Sequence, residues 1–241
     1  MVDEDPLWCQ NPYITMLEEP KDLHLNLDTS CQDSFEKAER FLGAQADPFR
    51  LKWFIISLHH AIHLLMLLAL KGSAHQGIWE ADSKRESLRK KNLVIKEKWG
   101  MTFIDIFNKK NKLLTFLDAY ELIKDSKRMN HYIHSQHFRA NSNHDESMTL
   151  LNNELRNEFI HTRPISFSYG ESYILDQISP VLDVALFLLR DSGSCYFYAG
   201  NEEAIEIIKR MKIQIDSRLA ELKTEDDQVG CVCLYDIKPF E

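Results

Sequence analysis

Apolar positions recur at intervals of three and four residues over long stretches of this chain, the period of helices that bury one face. The strongest stretch follows Asp47-Pro48, where Ile55, Leu58, Ile62, Leu65 and Leu68 form one stripe. Asp47 as N-cap and Pro48 in the first helical position predict its start, and Lys71-Gly72 predicts its end. Upstream, "FEKAERFL" predicts a helix capped within Asp28-Thr29-Ser30 and stopped by Gly43. Met148, Leu151, Leu155 and Phe159 line one face of a predicted helix over 145–160. Ser179-Pro180 repeats the cap-then-proline start for "VLDVALFLLRD", which stops near Gly193. Asn201 is placed to cap a last long helix through Ile205, Ile208, Met211 or Lys212, Ile215, Leu219 and Leu222. Shorter helices are predicted around 102–108 and 112–124, the tail "GCVCLYDIKPFE" has weak strand character, and no repeat is present.

These elements predict an all-α bundle of four to five long helices. Three regions follow: an irregular acidic arm over 1–29, a helical domain over 30–223 and a tail over 224–241. The polar, basic residues from about 73 to 144 read as an insert within the helical domain. Composition agrees: only 8 Gly and 7 Pro disfavour a turn-rich all-β design, and 44% hydrophobic residues suffice for a sizeable core. "LKWFIISLHHAIHLLMLLAL" has the length of a membrane span, but Lys52, Ser57, His59, His60 and His63 interrupt it. A buried helix of a cytoplasmic protein with no membrane association is the expectation. The opening "MVDEDPLWCQNPY" has no basic region followed by an apolar core, and the five cysteines are irregularly spaced, so reduced thiols are expected.

A net charge of −8 argues against a general nucleic-acid coating protein. The distribution changes that picture. Residues 84–139 hold 14 Lys and Arg against 6 Asp and Glu, a local balance of +8, while the rest of the chain carries −16. Such a segment attracts phosphates, and Lys90, Lys91, Lys96 and Lys98 lie within it. A solvated, lysine-rich surface insert has the same signature.

Candidate chemistry concentrates in "LNNELRNEFIHTRP". Leu151, Leu155 and Phe159 face the core, and Arg156 and Asn157 lie beside that stripe. His161, four residues after Asn157, shares its face. Arg156 and His161 stand about 140° apart on an ideal helix and converge only where the helix ends or distorts. Pro164 supplies a reason for an ending, because it pushes Arg163 out of the α region. An arginine for phosphate charge beside a titrating histidine suits phosphodiester chemistry. The plain alternative is a surface arginine paired with Asn152 or Glu154, and a histidine that caps the helix C-terminus.

The segment resembles the signature of HEPN-domain proteins (higher eukaryotes and prokaryotes nucleotide-binding). In that signature an Arg is followed by a polar residue and, after four to six intervening positions, a His near the end of a core helix. Arg156, Asn157 and His161 match it, and the helix pair over 30–71 resembles the opening of a HEPN bundle. Arg128 with His134, and Arg139 with His144, also fit the spacing, but Met129 and Ala140 stand where a polar residue belongs. The resemblance implies a homodimeric, metal-independent and cofactor-free endoribonuclease, whose two motif helices build one composite site. Arg156 would bind the scissile phosphate, Asn157 would orient that phosphate or the histidine, and His161 would act as general acid/base or position the 2′-hydroxyl for attack. Attack by a 2′-hydroxyl would confine the substrate to RNA. Lys90, Lys91, Lys96, Lys98 and Arg163 would help to hold that RNA. HEPN proteins serve as toxins or defence effectors, some paired with a nucleotidyltransferase-type antitoxin. Others are catalytically silent modules that bind a nucleotide or a partner protein.

Two histidine patterns suggest a metal site less well. His131, His134 and His137 read better as a polar loop, and His59 and His63 as hydrogen-bonded core or interface histidines. No glycine-rich phosphate loop and no G-x-S-x-G are present, which excludes the motifs of P-loop NTPases and α/β-hydrolases.

Overall fold

The computed structural model describes residues 26–72, 77, 78, 113–161 and 169–228. Among them the chain is helical, with no β-strand. Residues 1–25 of the expected acidic arm, residues 229–241 of the expected tail, the predicted helix at 102–108, and Lys90, Lys91, Lys96, Lys98 and Arg163 lie outside the described residues, while 224–228 belong to the last helix.

Helix α1 (Leu27–Gly43) and helix α2 (Arg50–Leu70) form an antiparallel hairpin with the most extensive contact among the described residues. Asn26 caps α1, two residues before the cap predicted from Asp28, by accepting the Thr29 N–H at 2.8 Å. The start of α2 also differs from expectation. Asp47 accepts the Phe49 N–H at 2.8 Å, so 47–49 make a turn and the helix begins at Arg50 rather than Pro48. Gly72, with φ of 56°, stops it as predicted, in the left-handed conformation that glycine adopts without strain.

Helix α2 is the hub. Phe54, Ile55, Leu58, Ile62, Leu65 and Met66 are fully buried against neighbours on several sides. One neighbour comes from the segment expected to be an insert. Helix α3 (Phe116–Ile123) and the turn-length α4 (Ser126–Met129) place Phe116, Tyr120, Ile123 and Met129 in the core. Residues 113–144 therefore contribute to the core as well as carrying polar surface, and 131–140 are irregular.

The motif segment comprises α5 (Ser142–Leu150), a π-helical turn (Leu151–Leu155) and α6 (Arg156–Ile160). Helix α7 (Glu171–Leu186) continues into a second π-helical turn (Phe187–Asp191). This corrects the predicted start at Ser179-Pro180: Pro180 lies inside α7. Ile174, Leu175 and Ile178 already follow helical spacing and are buried, and their packing outweighs the backbone bond that proline removes.

Helix α8 (Glu202–Gln228) closes the bundle. It runs parallel to α1, where Gln32 meets Glu203 and Glu39 meets Arg210, and antiparallel to α7, where Asp183 meets Lys212 and Glu171 meets Arg218. Asn201 precedes it as predicted, but its side chain does a different job. Its amide donates to the Leu189 and Cys195 carbonyls, both at 2.7 Å, and its oxygen accepts the Phe197 N–H.

The segment 171–191 joins 50–70 as a helix long and apolar enough to cross a membrane, by length and composition alone. Pro180, taken as a helix start, hides its length in the sequence. Both segments bury half or more of their apolar stretch inside the bundle.

Candidate functional site

The motif segment starts from a reciprocal cap. Asn141 accepts the His144 N–H at 3.0 Å, and His144 Nδ1 accepts the Asn141 N–H at 3.2 Å. His144, in one of the competing Arg–His pairs, is therefore occupied at a helix start.

One turn later the ladder widens. The Arg156 N–H donates to the Leu151 carbonyl, five residues back. Such π-turns accommodate an extra residue and recur at functional sites. Here the wide turn keeps both Leu151 and Leu155 fully buried while Asn152 reaches α2. His59 Nε2 meets Asn152 Oδ1 at 3.0 Å, and the His59 ring stacks on Phe116 with centroids 4.3 Å apart. One turn along α2, His63 Nε2 donates to the Leu114 carbonyl at 2.9 Å. These are the hydrogen-bonded core histidines expected from the sequence.

Burial pushes His59 down to about 4; the Asn152 hydrogen bond opposes this, while His63, Arg156 and His60 add to it. Burial also lowers His63, against the pull of its bond to Leu114 and with help from His60 and Arg156. Both rings are therefore neutral near pH 7. The nitrogen facing the Asn152 oxygen carries the proton in His59, an assignment made from its partner.

Arg156 is half-buried beside these two neutral rings. One guanidinium nitrogen donates to Asn157 Oδ1 at 2.8 Å, and Asn157 Nδ2 donates to the Asn153 carbonyl at 3.2 Å. The arginine thus bonds its neighbour in the motif rather than Asn152 or Glu154. Among the described residues its remaining N–H groups have no acceptor. They are available to an anion.

Helix α6 ends as the sequence predicts. Ile160 is its last residue, and His161 turns out of it with φ of −97° and ψ of 94°. The His161 N–H still donates to the Asn157 carbonyl, so the His161 Cα keeps its helical position. Asn157 and His161 consequently share a face, while Arg156 and His161 retain their separation of about 140°. Within one chain the structure joins Arg156 to Asn157 and leaves His161 exposed, with no side-chain bond to either among the described residues.

Sequence reasoning missed that His59 of α2 meets Asn152 of the motif segment, with His63 one turn further along. The available signal was Lys52, His59 and His63 at helical spacing on one face of α2. Nothing local identified that face as the one meeting Asn152. Among the described residues no cluster of His, Cys, Asp and Glu could hold a metal ion, and Cys31 and Cys195 are buried free thiols. No protein-family model, curated protein or solved structure matches the chain.

Proposed function

We propose that the chain is a HEPN-like, metal-independent endoribonuclease that acts as a homodimer. The observation that carries the reading is the end of the motif helix. An arginine with uncommitted N–H groups is paired to Asn157, and a histidine leaves the same helix exposed one turn later. Guanidinium N–H groups bind phosphate oxygens and stabilise the charge that grows on them. The imidazole of His161 accepts the proton of the 2′-hydroxyl as that oxygen attacks phosphorus. The P–O5′ bond breaks, the 5′-oxygen takes up a proton, and a 2′,3′-cyclic phosphate remains. Arg156 and His161 point apart within one chain, so a second motif helix across a two-fold axis completes the site. Lys90, Lys91, Lys96, Lys98 and Arg163 contribute positive charge for the RNA backbone. A toxin or defence effector, held by an antitoxin of nucleotidyltransferase type, is the setting that this chemistry suits.

The test is cleavage of mixed cellular RNA in excess EDTA, beside His161→Ala and Arg156→Ala. The expected result is cyclic-phosphate ends from the native protein and a roughly 10²- to 10⁴-fold slower rate in His161→Ala. His161 is exposed, so this variant should fold normally. Equal cleavage by native protein and variants would remove the site. No cleavage by any of them would assign the chain to the silent HEPN-like modules that bind a nucleotide or a partner protein.

A further inference from the structure

A cleft of about 310 Å³ opens between the start of α2 and the motif helix, lined in part by Phe49, Lys52, Glu158, Phe159 and Tyr169. Small-molecule pockets span roughly 300–1,000 Å³, so this one has room for a single ring system rather than a run of them. Its surroundings are aromatic. Phe159 meets Tyr169 edge-on at 6.3 Å, and Tyr169 lies parallel to Tyr173 at 6.2 Å. Phe49 is 63% exposed, and Trp53 and Tyr173 are also exposed at this end of the bundle. The Lys52 ammonium sits 5.2 Å above the Trp53 ring.

The position matters as much as the lining. Phe159 is three residues after Arg156 and two before His161, about 4.5 Å and 3 Å along the helix axis. Around the axis Phe159 stands about 60° from Arg156 and about 160° from His161, so the cleft opens on the Arg156 side of the motif helix. Lys52 and Glu158 bring opposite charges to the lining. Flat apolar walls beside a phosphate-binding arginine fit the two halves of a nucleotide.

We propose that this cleft receives one unpaired nucleobase of the RNA, stacked on its aromatic walls, while the adjoining phosphate lies at Arg156. The inference rests on the ribonuclease reading and narrows it to single-stranded or looped RNA. A base held in a duplex cannot enter a side cleft without being unpaired. Stacking is tolerant of sequence, so the cleft selects for strandedness more than for base identity.

The experiment uses a short single-stranded RNA, 2′-O-methylated throughout to block cleavage, with the fluorescent base 2-aminopurine placed at successive positions. Binding to the native protein should quench the fluorophore at one position, as stacking on an aromatic ring does. Phe49→Ala should abolish that quenching and weaken binding roughly fivefold to a hundredfold. Phe49→Leu, which keeps the apolar bulk, should also lose the quenching. Phe49 is mostly exposed, and unchanged circular dichroism would show that both variants fold. The same RNA annealed to its complement should show no change in fluorescence when the protein is added. Quenching that persists in both variants, or that never appears, overturns the cleft proposal. Its fate is separable from that of the nuclease: quenching without EDTA-resistant cleavage would leave a base-binding cleft on a silent module. Cleavage without quenching would leave a nuclease that holds its substrate elsewhere.

Discussion

At the scale of single residues, His59 carries the clearest consequence. Its ring is held neutral in the folded chain, pushed down to about 4 from an ordinary value of 6.5, first by burial, against the Asn152 hydrogen bond, and further by His63, Arg156 and His60. A folded value below the unfolded one means that His59 favours the native state fully above pH 6.5. That contribution is lost as the pH falls towards 4, where the unfolded chain takes up the proton first. At about 1.4 kcal/mol per pH unit, the loss approaches ~3 kcal/mol. His59→Gln keeps a donor for Asn152 but cannot titrate. Urea unfolding at pH 7 and pH 4.5 should show a smaller loss of stability on acidification in this variant, by ~2–3 kcal/mol. A residual slope from His60 and His63, both also lowered chiefly by burial, should remain. Identical acid losses in the native protein and His59→Gln would show that His59 is protonated in the folded chain. The candidate residues were legible to different degrees for a related reason. Arg156, Asn157 and His161 lie within six residues, so helix geometry relates them without knowledge of the fold. His59 meets Asn152 across 93 residues of sequence, and only the packing of α2 against the π-turn brings them together.

The helices themselves show the same division between local and distant causes. The interior of α2 and the stripe of α8 are legible because their apolar period is long and uninterrupted. The starts of α2 and α7 were misplaced because a proline after Asp or Ser is a strong local signal that packing overrode. Neither π-turn has a signature in the sequence. At the true start of α7, Glu171 does work that its sequence position does not advertise. It receives the buried Arg50 from α2 and Arg218 from α8, while Arg50 also donates to the Leu42 carbonyl at the end of α1. Four helices thus meet at one carboxylate. Burial alone would raise Glu171, but Arg218 and Arg50 outweigh it and hold its pKa below the ordinary carboxylate range. Its contribution is therefore present above the unfolded value, near 4.5, and is lost as the pH falls through the lower folded value. Glu171→Gln leaves the nearly buried Arg50 without its counter-charge, a loss that costs about 3 kcal/mol or more for buried pairs. Urea unfolding at pH 7 should show that decrease, against a small effect for Glu206→Gln, whose pair with Lys209 is exposed on both sides. Equal effects at the two sites would mean that the junction is held by apolar packing alone.

For the whole molecule, the decisive question is whether one chain is enough. Helix α6 keeps helical geometry to its end, so no single protomer brings Arg156 and His161 together. A ribonuclease built on these residues therefore depends on assembly, and that dependence has a form that can be measured. Two chains of net charge −8 repel weakly at long range, so the contact must come from the surfaces beside the motif helices. Ile160 is 41% exposed directly before His161 and is one apolar group placed for such a contact. If two motif helices form one site, activity follows the concentration of dimers. Specific activity should fall in proportion to concentration once the protein is diluted below its dimer dissociation constant. Sedimentation equilibrium should place the monomer–dimer transition in the same range. Added His161→Ala protein supplies a sharper version of the test. An excess of it draws native chains into mixed dimers, so with subunits allowed to exchange the native activity should fall steeply as the variant is added. A monomeric enzyme would be indifferent to the variant, apart from competition for RNA. That competition is recognised by repeating the titration at saturating substrate. Activity that survives there unchanged would mean that each chain carries its own site. Arg156 and His161 would then have to meet through a rearrangement at the end of α6 that this fold does not contain.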